Sequence, residues 1–176
     1  MQPHFLFIFL FFIVACGEEE TPRIKDPKWT QEQSIEMNTV FSSEEDQEID
    51  LFLQRHKDWK MTETGTGLRY MVYHKSEKTD SAQVGDIVTV SFEISLLDGT
   101  VCYNSKEKGE ESFVVEKTDI ESGLHEGIKY MCEDDKAKFI LPSHIAHGLI
   151  GDTDKIPPLS PVIYDIHLLK IEKEQK

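Results

Sequence analysis

The sequence of 176 residues predicts an α+β protein, in which a mostly antiparallel sheet packs around one short helix and follows a longer N-terminal helix. Two patterns carry this prediction. Apolar residues recur at helical spacing around residue 50 and again over 119–131, whereas most of the chain after Gly67 alternates apolar and polar residues. Because the strand candidates follow one another with a single helical segment among them, the sheet is expected to be mainly antiparallel.

The N-terminal helix is predicted within residues 42–63, after a polar stretch and before the sequence "TETGTG" breaks the pattern. Ser42 followed by Glu45 matches a capping box, in which two side chains satisfy the first free amides of a helix. Such a helix is expected to pack on its own domain through one face. That face is formed, at spacings of three and four residues, by Ile49, Phe52, Leu53 and His56.

The two longest strands are predicted at "IVTVSFEISLL" and "PVIYDIHLLKI", where every second residue is apolar. Asp98-Gly99 after the first of them predicts a tight hairpin turn. Shorter strands are predicted at "LRYMVYH", "SFVV" and "KAKFIL", and the short helix at "DIESGLHEGIKYM". The alternating apolar faces of the two long strands are Val88, Val90, Phe92, Ile94 and Leu96, and Val162, Tyr164, Ile166 and Leu168.

The beginning of the chain is typical of a bacterial lipoprotein. The first fifteen residues lack Asp, Glu, Lys and Arg, and their apolar run is too short to span a bilayer comfortably. The run ends in "IVAC", a lipobox pattern that would make Cys16 the lipidated N-terminus; an ordinary cleaved signal peptide is the alternative. The predicted organisation is a signal peptide (1–15), an acidic tether (16–41), the helical segment (42–63) and a globular domain (64–176).

Composition and spacing argue against several kinds of site. The net charge of −14 disfavours nucleic-acid binding, since phosphate contacts need clustered Lys and Arg. His144 and His147 have no third ligand near them in sequence, so we predict no metal. Neither Cys102 nor Cys132 lies in a nucleophile motif, and the chain has no phosphate-binding loop, so no cofactor is predicted.

From Gly67 to Glu172 the chain resembles the FKBP-type peptidyl-prolyl isomerases. The segments "VGDIVTVSFEISLLDGT", "FVVEKTDIESGLHEGIKYM", "KAKFILPSHIAHG" and "IPPLSPVIYDIHLLKIE" occur in the order and spacing of that family. The lipobox, the acidic helix and "WKMTETGTGLRYMVYHKS" further resemble the gliding-motility-associated FKBP-type lipoproteins. The resemblance implies a bent antiparallel sheet of about five strands wrapped on one short helix, with a proline pocket between helix and sheet.

The resemblance also implies the residues of that pocket. Phe92, His147 and Tyr164 occupy catalytic positions, and His147 stands where the family has a tyrosine that donates a hydrogen bond. Substrate-binding positions are implied at Cys102, Tyr103, Ile120, Glu121, Leu124 and Ile156.

Several of these positions depart from the family pattern. Cys102-Tyr103 replaces a Phe-Asp pair, so the acid that normally organises the surroundings of the client carbonyl is missing, and Leu124 replaces a tryptophan. Glu111 stands where an aromatic residue is expected, and a carboxylate there would favour basic clients over acidic ones. Cys102 in the pocket and Cys132 on another loop are expected to be free thiols.

The implied reaction is rotation about X-Pro bonds, which must cross a barrier of roughly 18–20 kcal/mol without breaking a bond. The sequence thus predicts a prolyl isomerase for exported proteins, anchored by lipid in the cell envelope, in the outer membrane and facing the periplasm; surface exposure and oligomeric state stay open. A binding module with weak turnover, or a structural part of an envelope motility machine, is the alternative. A metal-binding chaperone that uses His144 and His147 is a third possibility.

Overall fold

The computed structural model describes residues 30–174. The predicted signal peptide, Cys16 and the first part of the predicted tether lie outside these residues. Among residues 30–174, no helix has both the length and the apolar character needed to cross a membrane. The elements are α1 (Gln31–Arg55), β1 (Thr62–Glu63), β2 (Arg69–His74), β3 (Ile87–Leu96), β4 (Val101–Asn104), α2 (Ser105–Lys108), β5 (Glu111–Val114), α3 (Ser122–Ile128), β6 (Lys136–Leu141) and β7 (Val162–Glu172).

The predicted α+β fold is confirmed. All seven strands form one antiparallel sheet in the order β1-β2-β6-β7-β3-β4, and β5 also pairs with β3. The two strands beyond the expected five are short: β1 has two residues and β4 has four, and β4 pairs with the end of β3 opposite to the predicted strand β5. The pairing of β3 shifts register against β7 at Thr89/Val90 and against β4 at Ile94/Ser95, with the extra residue in the partner strand each time, and such bulges bend a strand and increase its twist.

Helix α3 lies close against the sheet because two of its residues have no side chain. A Cβ atom on Gly127 would lie 2.7 Å from the Phe139 ring, and one on Gly123 would lie 2.7 Å from Leu141 Cγ. The approach buries Leu124 and Ile128, together with the predicted inward faces of β3 and β7, in one core cluster. The short helix therefore has a fixed position on the strands that carry the candidate site.

Helix α1 is longer than predicted and begins eleven residues earlier. Thr30 is its N-cap, and Thr30 and Gln33 form the capping box, so the predicted start at Ser42 is wrong. Glu45, the supposed second member of the predicted box, accepts hydrogen bonds from Ser143 instead. The helix also ends at Arg55 and not at residue 63, so part of the predicted tether is helical and the segment before β1 is not.

The C-terminal half of α1 packs on the face of the sheet opposite α3. Ile49 and Phe52 form a second apolar cluster with Ile140 of β6 and Ile163 of β7. Strand β7 is therefore buried on both faces, with Tyr164 in the main core and Ile163 under α1. The predicted apolar face of α1 is confirmed in this half of the helix.

Candidate active site

A cavity of about 540 Å³ lies where α3, β3 and β7 meet the connection between β6 and β7. We call residues 142–158 of that connection the flap; it contains two 3₁₀ turns, Ser143–Ile145 and Gly148–Ile150. Of the nine residues predicted for the pocket, seven line this cavity: Phe92, Tyr103, Ile120, Glu121, Leu124, His147 and Tyr164.

The deep wall of the cavity is apolar and largely aromatic. Phe92 comes from the inward face of β3, Tyr164 from β7, and Leu124 from α3, and each is less than a tenth exposed. Antiparallel pairing places Ile94 opposite Tyr164, so neighbouring inward side chains of the two strands meet on one surface. The result is a concave apolar surface of the kind that holds an apolar ring.

The Tyr164 hydroxyl remains protonated at the bottom of this cavity. Burial raises the pKa of the Tyr164 phenol well above its ordinary value, and the negative charges of Glu121 and Glu111 raise it further. Tyr164 therefore presents a neutral O–H group, which can donate or accept a hydrogen bond.

His147 lies between the two 3₁₀ turns of the flap and carries an unused polar atom. Its Nε2 is 3.1 Å from Glu121 Oε1, which is close enough for an ion pair if the ring is protonated. The contact does not have the angles of a hydrogen bond, so within residues 30–174 this buried nitrogen has no hydrogen-bond partner. Since a buried polar group normally finds a partner, Nε2 is a candidate for bonding to a ligand in the cavity.

The cavity contains an acid, although the family position for it holds Tyr103. The flap brings Asp152 to the wall, where the single Tyr103 O–H group contacts the Asp152 carboxylate and also lies 3.1 Å from an Asp154 carboxylate oxygen, so the two acceptors share one proton. The hydrogen bond to Asp152, followed by desolvation, raises the pKa of Tyr103. The prediction that the pocket lacks its acid is therefore corrected, because the acid comes from a different element.

Asp152 is also the residue that closes the turn of the flap. Its Oδ1 accepts hydrogen bonds from the backbone N–H groups of Asp154, Lys155 and Ile156, at 2.7–2.9 Å. Partial burial raises the pKa of this carboxyl, but the hydrogen bonds from Tyr103 and the three amides outweigh burial and lower the pKa to about 2. The sequence "GDTDK" has the pattern of an Asp-initiated turn, which was the available signal for this residue.

Cys102 and Ile156 do not line the cavity, contrary to what the resemblance implied. Both are about 2% exposed and belong to the core beneath it, and Cys102 Sγ lies 3.7 Å from the Lys155 carbonyl oxygen. Burial raises the pKa of the Cys102 thiol and that of the Cys132 thiol, which opposes nucleophilic reactivity. The expectation that the two cysteines are free thiols is confirmed for the described chain.

The rim of the cavity is acidic. Glu111, which stands where the family has an aromatic residue, lies on this rim beside four further carboxylates. Lys108 is the lysine among the lining residues, and its Nζ lies 3.7 Å from the centroid of the Tyr103 ring. The five carboxylates on the cavity wall belong to Glu110, Glu111, Asp119, Glu121 and Asp152.

The other histidine of the predicted pair has a structural contact. His144 Nε2 lies 2.9 Å from the Thr66 carbonyl oxygen, so its ring joins the flap to the loop before β2. No group of three or more His, Cys, Asp or Glu side chains in residues 30–174 is arranged to hold a metal ion.

A larger, open groove of about 950 Å³ runs between α1 and the flap, beside His144 and Leu149. Phe92, Tyr164 and His147 do not line this groove. Of the two cavities, the smaller one is therefore the one that combines the aromatic wall with the unpartnered nitrogen of His147. We therefore place the candidate active site in the smaller cavity.

Comparison with known proteins identifies the family of the chain. Residues 78–169 match the FKBP-type peptidyl-prolyl cis-trans isomerase family, and the chain belongs to that family. The chain is 32% identical over 163 residues to a probable FKBP-type peptidyl-prolyl cis-trans isomerase, FkpA, of Neisseria meningitidis; the match covers 90% of this chain and 58% of that protein. It is 35% identical over 99 residues to FK506-binding protein 2 of Yarrowia lipolytica, covering 56% of this chain and 69% of the relative.

Among solved structures, the crystal structure of FkpA from Escherichia coli superimposes with a TM-score of 0.65 over 84% of this chain and 76% of that one. At 22% identity this likeness supports the fold. The chain spans 58% of the length of the Neisseria relative.

Proposed function

We propose that the chain is a peptidyl-prolyl cis-trans isomerase that acts on X-Pro bonds of polypeptide clients in the cavity between α3 and β3. The observation that carries the proposal is the combination of the aromatic wall with the unpartnered Nε2 of His147 at its edge. Family membership agrees with this activity.

The apolar wall supplies the binding step. The proline ring packs against Phe92, Leu124 and Tyr164, where its surroundings exclude water. Water that hydrogen-bonds to the carbonyl of a planar amide favours the charge-separated, double-bonded form. Removal of that water lowers the barrier of roughly 18–20 kcal/mol that the C–N bond otherwise presents.

The polar groups favour the twisted amide over both planar forms. In the Nε2–H form, the His147 ring donates a hydrogen bond to the client backbone, and the neutral Tyr164 hydroxyl is a second candidate donor. A donor placed for the rotated geometry binds the transition state more tightly than the ground state, which is the requirement for catalysis. No cofactor or nucleophile takes part, because the reaction breaks no covalent bond.

A protease-free isomerisation assay on a short X-Pro peptide tests this proposal. Phe92→Ala removes the aromatic floor and should lower kcat/KM by roughly tenfold or more, since proline binding and desolvation are lost together. Phe113→Ala is the matched control: it truncates an equally buried phenylalanine of the same core that does not line the cavity. Equal losses in both variants, or a wild-type rate equal to that in buffer, would refute the assignment.

A second candidate is a binding module that holds Pro-containing segments without turnover. It is favoured by the contact of Tyr103 with Asp152, because a phenol engaged in this way is less free to assist the client carbonyl. Peptide binding detected by titration, combined with no acceleration of isomerisation, would favour this candidate over the enzyme.

We also propose that the protein is lipid-anchored at Cys16 in the cell envelope, facing the periplasm, and acts on exported proteins. The lipobox at the end of the first apolar run supports this. Labelling of growing cells with a fatty-acid analogue tests it: wild-type protein should carry the label and Cys16→Ser should not. An unlabelled wild-type protein would indicate an ordinary signal peptide.

A role in gliding motility is proposed from the resemblance of the N-terminal half to gliding-associated lipoproteins. Loss of the gene should then abolish spreading of the bacterium on a surface, and Phe92→Ala should do the same if isomerisation is the required activity. Normal spreading of the deletion strain would remove this role without affecting the enzyme assignment.

A further inference from the structure

The buried face of α1 includes one charged residue. Glu45 is 6% exposed and, with Ile49 and Phe52, makes up the buried positions of this helix. Spacings of four and three residues place the three side chains on one face, so the carboxylate points toward the domain along with the two apolar groups. Removal of a carboxylate from water is unfavourable unless it is paired, so its partners are informative.

Both oxygens of this carboxylate bind the first residue of the 3₁₀ turn that opens the flap. Glu45 Oε2 accepts the Ser143 backbone N–H at 2.7 Å, and Oε1 accepts the Ser143 hydroxyl at 2.5 Å. Ser143 is itself 3% exposed. Hydrogen bonds to an ionised acceptor are about twice as strong as neutral ones, so this pair fixes Ser143 firmly.

The turn that begins at Ser143 leads directly to the candidate donor. Ala146 N–H donates to the Ser143 carbonyl at 3.0 Å, and His147 follows as the next residue. If Ser143 moves, the 3₁₀ turn moves with it and displaces the His147 imidazole at the cavity. Gly148, which follows His147, has φ of +65°, so the chain reverses there and carries Asp152 back to the cavity wall.

Helix α1 is itself held independently of the flap. Arg69, 4% exposed on β2, lies 3.3 Å from Asp46 and 3.6 Å from Asp50, both on α1. These ion pairs and the packing of Ile49 and Phe52 on the sheet fix the position of α1, and therefore of Glu45.

We propose that Glu45 is a positioning residue of the active site: it ties the flap to α1 and so places His147 over the cavity. The inference rests on the proposed isomerase function for its effect on rate, but not for its effect on the flap. The N-terminal helix then takes part in catalysis without contacting the client. A displacement of about 1 Å in such a group is enough to reduce a rate substantially.

The test compares three substitutions in the full chain. Glu45→Ala removes both hydrogen bonds, Glu45→Gln retains an oxygen that can accept the Ser143 N–H, and Glu44→Ala removes a neighbouring exposed charge as a control. We expect Glu45→Ala to lower kcat/KM by about three- to tenfold, Glu45→Gln to recover much of the loss, and Glu44→Ala to match the wild type.

Two further readouts separate positioning from general stability. Hydrogen exchange of the amides of residues 143–148 should increase by about tenfold in Glu45→Ala while exchange in β6 and β7 does not change. The NMR signals of the His147 ring should also shift in this variant. If Glu45→Ala does not fold, Ser143→Ala, which removes only the hydroxyl contact, should give the same changes at reduced size.

The proposal is overturned if flap exchange and the His147 signals are the same in Glu45→Ala as in Glu44→Ala. It is also overturned if the rate falls only in proportion to the folded fraction. A wild-type protein without isomerase activity would refute the proposed function, whereas the exchange and NMR measurements would still decide whether Glu45 positions the flap.

Discussion

Asp152→Asn removes the negative charge of the flap acid while it leaves an oxygen that can accept the three backbone N–H groups of the turn. The wild-type carboxyl has its pKa lowered from 3.8 to about 2 in the folded protein, mainly because the hydrogen bonds from Tyr103 and the backbone outweigh its partial burial. A difference of this size corresponds to about 2.5 kcal/mol of folding free energy. Because the side chain is partly exposed and solvent screens its interactions, we expect about 1 kcal/mol.

The sign of the pH dependence follows from the direction of the shift. A carboxyl whose pKa is lower in the folded state stabilises the protein above its unfolded pKa and loses this contribution as the pH falls through the folded value. Urea unfolding should therefore show wild type more stable than Asp152→Asn by about 1 kcal/mol at pH 7, with the difference shrinking between about pH 4 and pH 2. Tyr103→Phe should lose a comparable amount at pH 7, because it removes the donor of the same hydrogen bond.

A pH-independent difference between wild type and Asp152→Asn would refute this account, since it would show that the charge does not contribute. Asp154→Asn is the control. Asp154 also accepts from Tyr103 but receives no group of backbone amides, so its substitution should have a smaller effect.

Three further substitutions test other parts of the site. Gly127→Ala should destabilise the protein by about 1–3 kcal/mol in thermal unfolding, because the new Cβ would lie 2.7 Å from the Phe139 ring. Gly65→Ala is the control, since open space surrounds Gly65, and equal melting temperatures of the two variants would contradict the close packing of α3. Glu111→Gln should reduce the preference for Lys-Pro over Glu-Pro peptides by about threefold in kcat/KM, and an unchanged ratio would show that the rim charge does not select clients. His147→Ala should lower kcat/KM by about tenfold or more and His147→Tyr should retain most of it; full activity of the alanine variant would exclude His147 as the donor.

The sheet and the short helix could be predicted because their burial follows a local period. Val88, Val90, Phe92 and Ile94 alternate along β3 and are all buried, so the pattern of the sequence is also the pattern of the core. The close approach of α3 to the sheet could not be predicted from the sequence pattern. It depends on Gly127 meeting Phe139, and no local pattern identifies that partner.

The start of α1 was missed because its first turns are not amphipathic in the structure. Ile35 and Val40 are about half exposed, so this part of the helix buries no apolar face that a sequence pattern could show. The local signal for the true start is the capping box at Thr30 and Gln33, whereas the similar pair at Ser42 and Glu45 lies inside the helix. The role of Glu45 does not follow from local sequence, because its partner, Ser143, lies 98 residues away.

In the site, too, the residues that follow from the sequence pattern were predictable, whereas contacts between residues distant in sequence were not. The positions of Phe92, Leu124, Tyr164 and His147 follow from the family order of segments and were predicted. Asp152 was not, because its role depends on contact with Tyr103 across 49 residues, and the flap carries it there.

The most direct test of the central claim is NMR exchange spectroscopy on a Lys-Pro peptide with a small amount of the folded wild-type protein. Without catalyst, cis-trans exchange takes tens to hundreds of seconds and gives no exchange signal on the time scale of the experiment. The account predicts exchange peaks between the cis and trans forms with wild-type protein and much weaker peaks with the same amount of Phe92→Ala. Wild-type protein that is folded, binds the peptide and produces no exchange peaks would contradict it.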